Sequence, residues 1–342
     1  MDILVLAGGL SPERDVSFSS GTMICNTLLS MGHRAKLIDL YFGAPAWDCE
    51  SDFFVDAAPL SPYVVPASAP DLDALRAARK GGFNDFIGYN VMALGKVADV
   101  VFMALHGDCG ENGKLQSIFD HFGIRYTGSG SHGCAVAMDK WASKQVFRSH
   151  DILTPTGVTL QQGKPFDPRT LPLPCVVKPC CGGSSIGVSI VTERHALPAA
   201  IETAFAVEPV ILVEEYVKGR EISCGILGED ALPLIEIVPN DGFYDYKNKY
   251  QAGGAKEITP ADVAPDIAQK ISEAAKAVFR TLHLSVYARI DFLLTARGDA
   301  YCLEANTLPG MTPTSLLPQE AAAADLDYAS LCARILDLSL KK

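Results

Sequence analysis

The sequence has no CxxC pair and no Cys/His cluster at zinc spacing, although it holds ten cysteines. In a chain of 342 residues, scattered cysteines read as reduced thiols, which suits a cytoplasmic protein better than a disulfide-stapled secreted one. Adjacent Cys180 and Cys181 do not change this, because neighbouring cysteines reach disulfide geometry only with strain. No apolar run approaches the ~18 residues of a membrane span. Met1-Asp2 leads straight into the apolar stretch 3–6, without the basic start and longer apolar run of a secretory signal. Positive charge is scarce too: 29 Lys and Arg stand against 40 Asp and Glu, a net charge of −11. That balance argues against nucleic acid and anionic membranes as partners. Any phosphate must be held by a few local lysines, glycine-rich backbone and metal. Internal repeats and low-complexity segments are absent as well.

What is present is an ordinary globular composition, 48% hydrophobic and 20% charged, on a chain longer than one core usually serves. The first forty residues predict a strand at 3–6, a turn at Gly8-Gly9, a helix over 16–31 stopped by Gly32, and a strand at 35–40. A buried-strand pattern at 98–105 ends at His106. This is an α/β layer whose strand ends are placed to bind ligands. Five prolines within 43–70 predict a surface excursion. A second unit begins near Gly128, with a helix over 135–148 and strands at 175–178, 188–191 and 210–213. A third begins near Lys218, with a Tyr-, Lys- and Gly-rich loop at 244–254, a helix over 264–282, a hairpin over 287–306 and a closing helix. The units are set at 1–127, 128–217 and 218–342.

The hairpin carries the strongest chemical signal. Alternation puts Ile290, Phe292 and Leu294 on one face of its first arm and Arg289 and Asp291 on the other. On the return arm Tyr301, Leu303 and Ala305 share one face, and Glu304 and Asn306 the opposite one. A turn centred on Arg297-Gly298 brings Asp291 opposite Glu304, a destabilising pair unless a cation lies between them. Hard oxygen donors of this kind suit magnesium; a solvated polar face would alternate in the same way. Lys178 ends an apolar strand just before a glycine- and serine-rich loop, 180–187. Glycine lets backbone N–H groups wrap an anion. The loop is neither a Walker loop nor a dinucleotide fingerprint, and a flexible turn would read alike. Lys140, alone on a helix, could equally be solvated surface. Glu214-Glu215 closes a strand and could face an adenine amine or simply end the strand in polar residues.

In order along nearly the whole chain, these pieces resemble the D-alanine–D-alanine ligase family of the ATP-grasp superfamily. The resemblance rests on Gly8-Gly9 with Ser11 to Ser17, on Leu105-His106-Gly107 and Gly110 to Gly113, and on Tyr126 to Gly130 with Met138-Asp139-Lys140. It continues through Val177-Lys178-Pro179 with Gly183 to Gly187, the loop Phe243 to Tyr250, Arg289-Ile290-Asp291, and Glu304 to Leu316. It implies an ATP-grasp fold, α+β in the central and carboxyl-terminal units, behind a doubly wound α/β amino-terminal domain. The implied activity joins two D-alanines through an acyl phosphate, for peptidoglycan precursors, using ATP and two Mg2+ or Mn2+. A homodimer built through the amino-terminal unit is also implied.

The resemblance also implies roles. Lys140 and Lys178 would hold ATP phosphates, with Ser184, Ser185 and Lys249 at the nucleotide. Glu214, Glu215 and Val217 would meet adenine, and Glu221 the ribose. Asp291, Glu304 and Asn306 would bind the metals. Glu13, assisted by His106, would bind the first D-alanine, and Ser315 and Lys249 the carboxylate of the second, beside Leu316. Ser184 and Tyr250 would close over the site. Arg289 and the Gly310 N–H would stabilise the tetrahedral oxyanion. Tyr250 and the small apolar neighbourhood of Leu316 favour D-alanine over D-lactate and D-serine, though an apolar pocket rejects an added hydroxyl only by about 10²-fold. A catalytically silent ATP-binding regulator is the alternative of another class. A dehydrogenase lacks its Gly-x-Gly-x-x-Gly after the first strand.

Overall fold

Ile3, Leu4, Val5, Leu6 and Ala7 are wholly buried. A strand covered on both faces needs no polar alternation, so the unbroken apolar run marks the centre of a parallel sheet. The computed structural model describes residues 1–66, 68–79, 86–183, 185–239 and 255–342. In it β1 (Asp2–Ala7) lies between β2 (Arg34–Asp39) and β3 (Val100–Met103), parallel to both. The chain runs out through α1 (Arg14–Ser30) to β2, then crosses to β3 on the other side of β1. Strand order therefore reverses at β1, and open α/β sheets bind ligands at the carboxyl ends of strands where this happens. Glu13 follows β1 and His106 follows β3 at that point. Helices α2 (Leu72–Ala78), α3 (Val91–Val97), α4 (Asp108–Glu111) and α5 (Lys114–Phe122) complete this region. The proline-rich stretch expected at the surface departs from that expectation at Phe54, which is 2% exposed and packs in the same core as β1.

The helix expected over 135–148 is two helices, α6 (Ser131–Met138) and α7 (Lys140–Ser149). Asp139 breaks it. Its backbone is extended and its carboxylate accepts the N–H groups of Trp141 and Ala142, so it caps α7. Lys140 is thereby the first residue of a helix instead of one position on a continuous face. A four-stranded antiparallel sheet follows, in the order β4-β7-β5-β6: β4 (Gly157–Gln161), β5 (Cys175–Pro179), β6 (Ser189–Val191) and β7 (Val210–Glu215). Its apolar face packs on α8 (Leu197–Phe205).

The remaining strands form an antiparallel sheet: β8 (Arg220–Leu227), β9 (Asp230–Ala231), β10 (Ile235–Pro239), β11 (Ala255–Ile258), β12 (Tyr287–Leu294) and β13 (Ala300–Asn306). The order is β11-β10-β8-β12-β13, with β9 beside β8. Helix α9 (Pro265–Thr281) covers it, and Ala137 of α6 and Phe147 of α7 join this core. So α6 and α7 pack on the six-stranded sheet, not on the four-stranded sheet that follows them in sequence. After α10 (Leu316–Ala322), the last helix α11 (Tyr328–Leu340) returns to the first sheet, where Leu331, Cys332, Ile335 and Leu336 enter its core. The end of the chain thus ties the β12–β13 hairpin and the loop after it to the amino-terminal sheet.

Candidate active site

Asp291 and Glu304 are partners across the β12–β13 ladder, as the alternation predicts. The rest of the return arm differs. Phe292 pairs with Cys302, so Leu303 is an extra residue in β13 and the strand bulges there. A bulge reverses the facing of everything beyond it. Cys302 therefore joins Ile290, Phe292 and Ala305 in the core, and Tyr301 does not share a face with Ala305 as simple alternation required. Bulging at Leu303 frees the Glu304 end of the strand to face a cleft.

The carboxylate conflict is relieved by cations from the protein. Arg289 grips Asp291 with two bonds of 3.0 and 2.9 Å, Ser223 Oγ donates to it at 2.7 Å, and Asn306 Nδ2 at 2.9 Å. Lys140 Nζ lies 3.1 Å from Glu304. Burial works against the Lys140 charge, yet Glu304 holds its pKa above the ordinary lysine value. Two carboxylates and an amide on one face are a hard-oxygen donor set that suits a divalent cation once Asn306 turns its carbonyl inward.

Between the four- and six-stranded sheets lies a cavity of about 590 Å³. Lys178, Ser185, Glu215 and Val217 line it, and so do Glu221, Asp291 and Glu304 of the six-stranded sheet. Glu214 lines it too, but its carboxylate is 2% exposed and committed to two lysines: it pairs with Lys178 and lies 3.0 Å from Lys144. This differs from the expectation of a carboxylate turned to adenine. Burial would raise the Glu214 pKa, but the two lysines bring it below the usual value. Lys144 is fully buried and donates to Thr154 Oγ1 at 2.7 Å; burial lowers its pKa to about 8. Sequence reasoning missed Lys144. The available signal was its position four residues after Lys140, on the same helical face.

A second cavity, about 380 Å³, opens at the carboxyl ends of β1 and β3. Glu13, His106, Asn306, Gly310 and Ser315 line it. Gly107 has φ +76°, and a Cβ there would lie 2.8 Å from Glu13 Oε2, so only glycine fits against this carboxylate. His106 is buried, which lowers its pKa. Its Nδ1 lies 3.0 Å from the Leu308 carbonyl and its Nε2 3.2 Å from Ser20 Oγ. A carbonyl only accepts, so Nδ1 carries the proton and Nε2 accepts from the serine. Ser20 Oγ in turn accepts the Met311 N–H at 3.3 Å. Glu111, also overlooked in the sequence, accepts the N–H groups of Gly107 and Leu308 at 2.8 and 3.1 Å. Burial, then the neighbouring Glu13, pushes its pKa up to about 7. It could have been found within the Gly110-Glu111-Asn112-Gly113 turn. Ser315 Oγ accepts the Thr312 N–H at 3.1 Å, and a Cβ on Gly310 would meet that oxygen at 2.6 Å.

Lys140, Gly182, Gly183, Arg289, Glu304 and Leu316 line both cavities. Lys140 Nζ also donates to the Gly182 carbonyl at 2.6 Å, tying the glycine loop to this seam. Ser184, Lys249 and Tyr250, with the loop expected at 244–254, lie outside the described residues.

Two sheets closing on a nucleotide-sized cleft, with Lys178 on one wall and a carboxylate pair beside Lys140 on the other, define the class: an ATP-grasp protein. The sequence profile described as D-ala D-ala ligase N-terminus matches residues 2–129, and the one described as D-ala D-ala ligase C-terminus matches 157–337. The chain is 42% identical to a D-alanine–D-alanine ligase of Pediococcus pentosaceus over 98% of this chain and 97% of that one. It is 41% identical to one of Lacticaseibacillus casei over 100% and 96%. The crystal structure of D-alanine–D-alanine ligase from Bacillus anthracis complexed with ATP superposes with a TM-score of 0.78 at 29% identity, covering 100% of this chain and 98% of that one. The chain belongs to the D-alanine–D-alanine ligase family.

Proposed function

We propose that this enzyme joins two molecules of D-alanine into D-alanyl-D-alanine, using ATP as the source of activation. One observation carries the reading: the nucleotide-sized cavity and the amino-acid-sized cavity meet along a shared seam of Lys140, Gly182-Gly183, Arg289 and Glu304. A phosphoryl group arriving from one side can there reach a carboxylate held on the other. In the first step a carboxylate oxygen of D-alanine attacks the γ-phosphorus, ADP leaves, and an acyl phosphate forms. In the second, the amine of another D-alanine attacks the acyl carbon and loses a proton, and inorganic phosphate leaves.

In this reading Glu13 holds the first ammonium, beside neutral His106. Lys140 and Lys178 neutralise the phosphates, and Glu214 keeps Lys178 in place. Glu215 and Val217 border adenine, and Glu221 the ribose. Arg289 and the Gly310 N–H face the oxyanion of the tetrahedral stage, where fixed donors act without reorganising. Ser315 takes the second carboxylate, with Leu316 against its methyl group. Asp291, Glu304 and Asn306 would hold Mg2+ or Mn2+, which neutralise charge on the transferring phosphoryl group when bound. The roles of Ser185, Ser184, Lys249 and Tyr250 rest on the family resemblance. A cytoplasmic homodimer is proposed on the same footing; among the described residues no helix is long and apolar enough to cross a membrane.

The test is phosphate release from MgATP with D-alanine alone, then with D-serine or D-lactate added, products identified by mass. D-alanine-dependent release with dialanine as main product is the expected result. A mixed main product would move the assignment to another second substrate. ATP binding without release would replace the ligase by a silent nucleotide-binding protein.

A further inference from the structure

The proline-rich stretch has a place in the amino-acid cavity. Its segment Leu60 to Pro66 is read from the sequence as rigid: prolines at 62 and 66 fix their own backbone and bias Ser61 and Val65 toward extended conformation. Extended chain alternates its side chains, and here Val64 is 83% exposed while Val65 lines the cavity that holds Glu13. Tyr63, on the same side as Val65, stacks on Phe18 of α1 with ring centroids 5.3 Å apart. Its hydroxyl donates to Asp15 at 2.5 Å. Three residues earlier, Leu60 exchanges two backbone bonds with the Asn26 amide, 2.7 and 2.9 Å. The strap therefore grips α1 at residues 15, 18 and 26, the helix that begins just after Glu13 and also gives Val16, Ser19 and Met23 to the cavity.

We propose that this strap is a preformed wall of the amino-acid cavity, and that Val65 is a specificity-determining residue limiting the side chain of the amino acid held at Glu13 to about a methyl group. The inference rests on the ligase reading above. A wall that is stiff before substrate arrives loses little entropy on binding, and an added methylene must then displace Val65 or stay out. Discrimination of one methylene in an apolar pocket is worth about 10–200-fold.

The experiment measures kcat/KM for D-alanine and D-2-aminobutyrate, by phosphate release and product mass, in the wild type, Val65→Ala and Asn26→Ala. Wild type is expected to prefer D-alanine. Val65→Ala is expected to shift the ratio toward D-2-aminobutyrate by about tenfold, with KM for MgATP unchanged. Asn26→Ala, which frees the strap without touching the cavity, is expected to raise KM for D-alanine several-fold at unchanged kcat. A ligase whose ratio does not move in a Val65→Ala protein that melts like the wild type would overturn the wall alone. A wild type releasing no phosphate with D-alanine would overturn the ligase reading and the wall with it.

Discussion

The nucleotide cavity and the amino-acid cavity share a seam, yet burial acts on their charges in opposite senses. On the nucleotide side two lysines surround one buried carboxylate, Glu214, and desolvation lowers the pKa of Lys144 to about 8. That cluster carries more positive than negative charge and awaits an anion. On the amino-acid side Glu13, Glu111 and Glu257 line the cavity against Arg289, and desolvation raises Glu111 to about 7 and lifts Glu257. On the proposed function, polyphosphate would offset the lysine cluster on one side, and the ammonium of the amino acid the carboxylates on the other. The seam between them is internally neutral, Arg289 on Asp291 and Lys140 on Glu304.

This division predicts which variants damage one side, both or neither. The largest effect belongs to the seam. Asp291→Asn keeps the shape but takes the charge from the group that Arg289, Asn306 and Ser223 all hold. The turnover rate is expected to fall by about 10²–10³-fold, the scale of one lost electrostatic contact at a reacting centre, with nucleotide binding retained by calorimetry. A modest fall in turnover would mean that the seam only joins the cavities.

Next is the nucleotide side. Lys144→Met leaves Glu214 with one cation inside the protein. A stability loss of about 3 kcal/mol is expected in denaturant melts, with KM for MgATP about tenfold higher and KM for D-alanine unchanged. If both KM values rose together, the two sides would not be separable.

The amino-acid side gives a smaller effect with a pH signature. Glu111 is raised above the unfolded carboxylate value, so the native state binds its proton more tightly than the unfolded chain. Its stabilising contribution is complete below about pH 4.3, the unfolded value, and is lost as pH rises through about 7. Glu111→Gln is therefore expected to flatten the fall of Tm between pH 5 and 7.5 by about 2–4 °C and to raise KM for D-alanine a few-fold. An unchanged slope would mean that Glu111 does not titrate in this window. The smallest effect is at Cys181, which lines the nucleotide cavity. Burial, then Glu208, pushes its thiol up to about 12, so almost no thiolate forms near neutral pH. Mild peroxide is expected to leave activity unchanged, and Cys181→Ser to stay within twofold. Rapid peroxide inactivation reversed by thiol would contradict this.

Residues that could be read from the sequence are those whose chemistry is fixed by local spacing. Asp291 and Glu304 could be set face to face on paper by local spacing alone, although the register next to the turn, Leu294 with Ala300, would put Asp291 against Leu303 and the bulge restores the pair. Lys178 before a glycine loop, and the strand end at His106, were visible for the same reason, whereas Glu13 entered only through the family resemblance. The bulge at Leu303 was not, because an extra residue leaves no mark in a short alternating run. Nor was the break at Asp139, where a capping carboxylate overrode a good helical pattern.

The sequence by itself determined the first strands, the β12–β13 hairpin, the ordered motifs and the family, since each follows from neighbours along the chain or from their order. The tertiary structure alone decided which charges are paired with which. Lys144 reads as a surface lysine until β7 brings Glu214 against it, and Glu111 reads as a loop carboxylate until the Leu308 N–H arrives from 197 residues away. Val65 reads as part of a surface loop until α1 places the cavity beneath it. Burial and electrostatic environment are properties of what surrounds a side chain in space, and that surrounding comes from parts of the chain no local pattern can see.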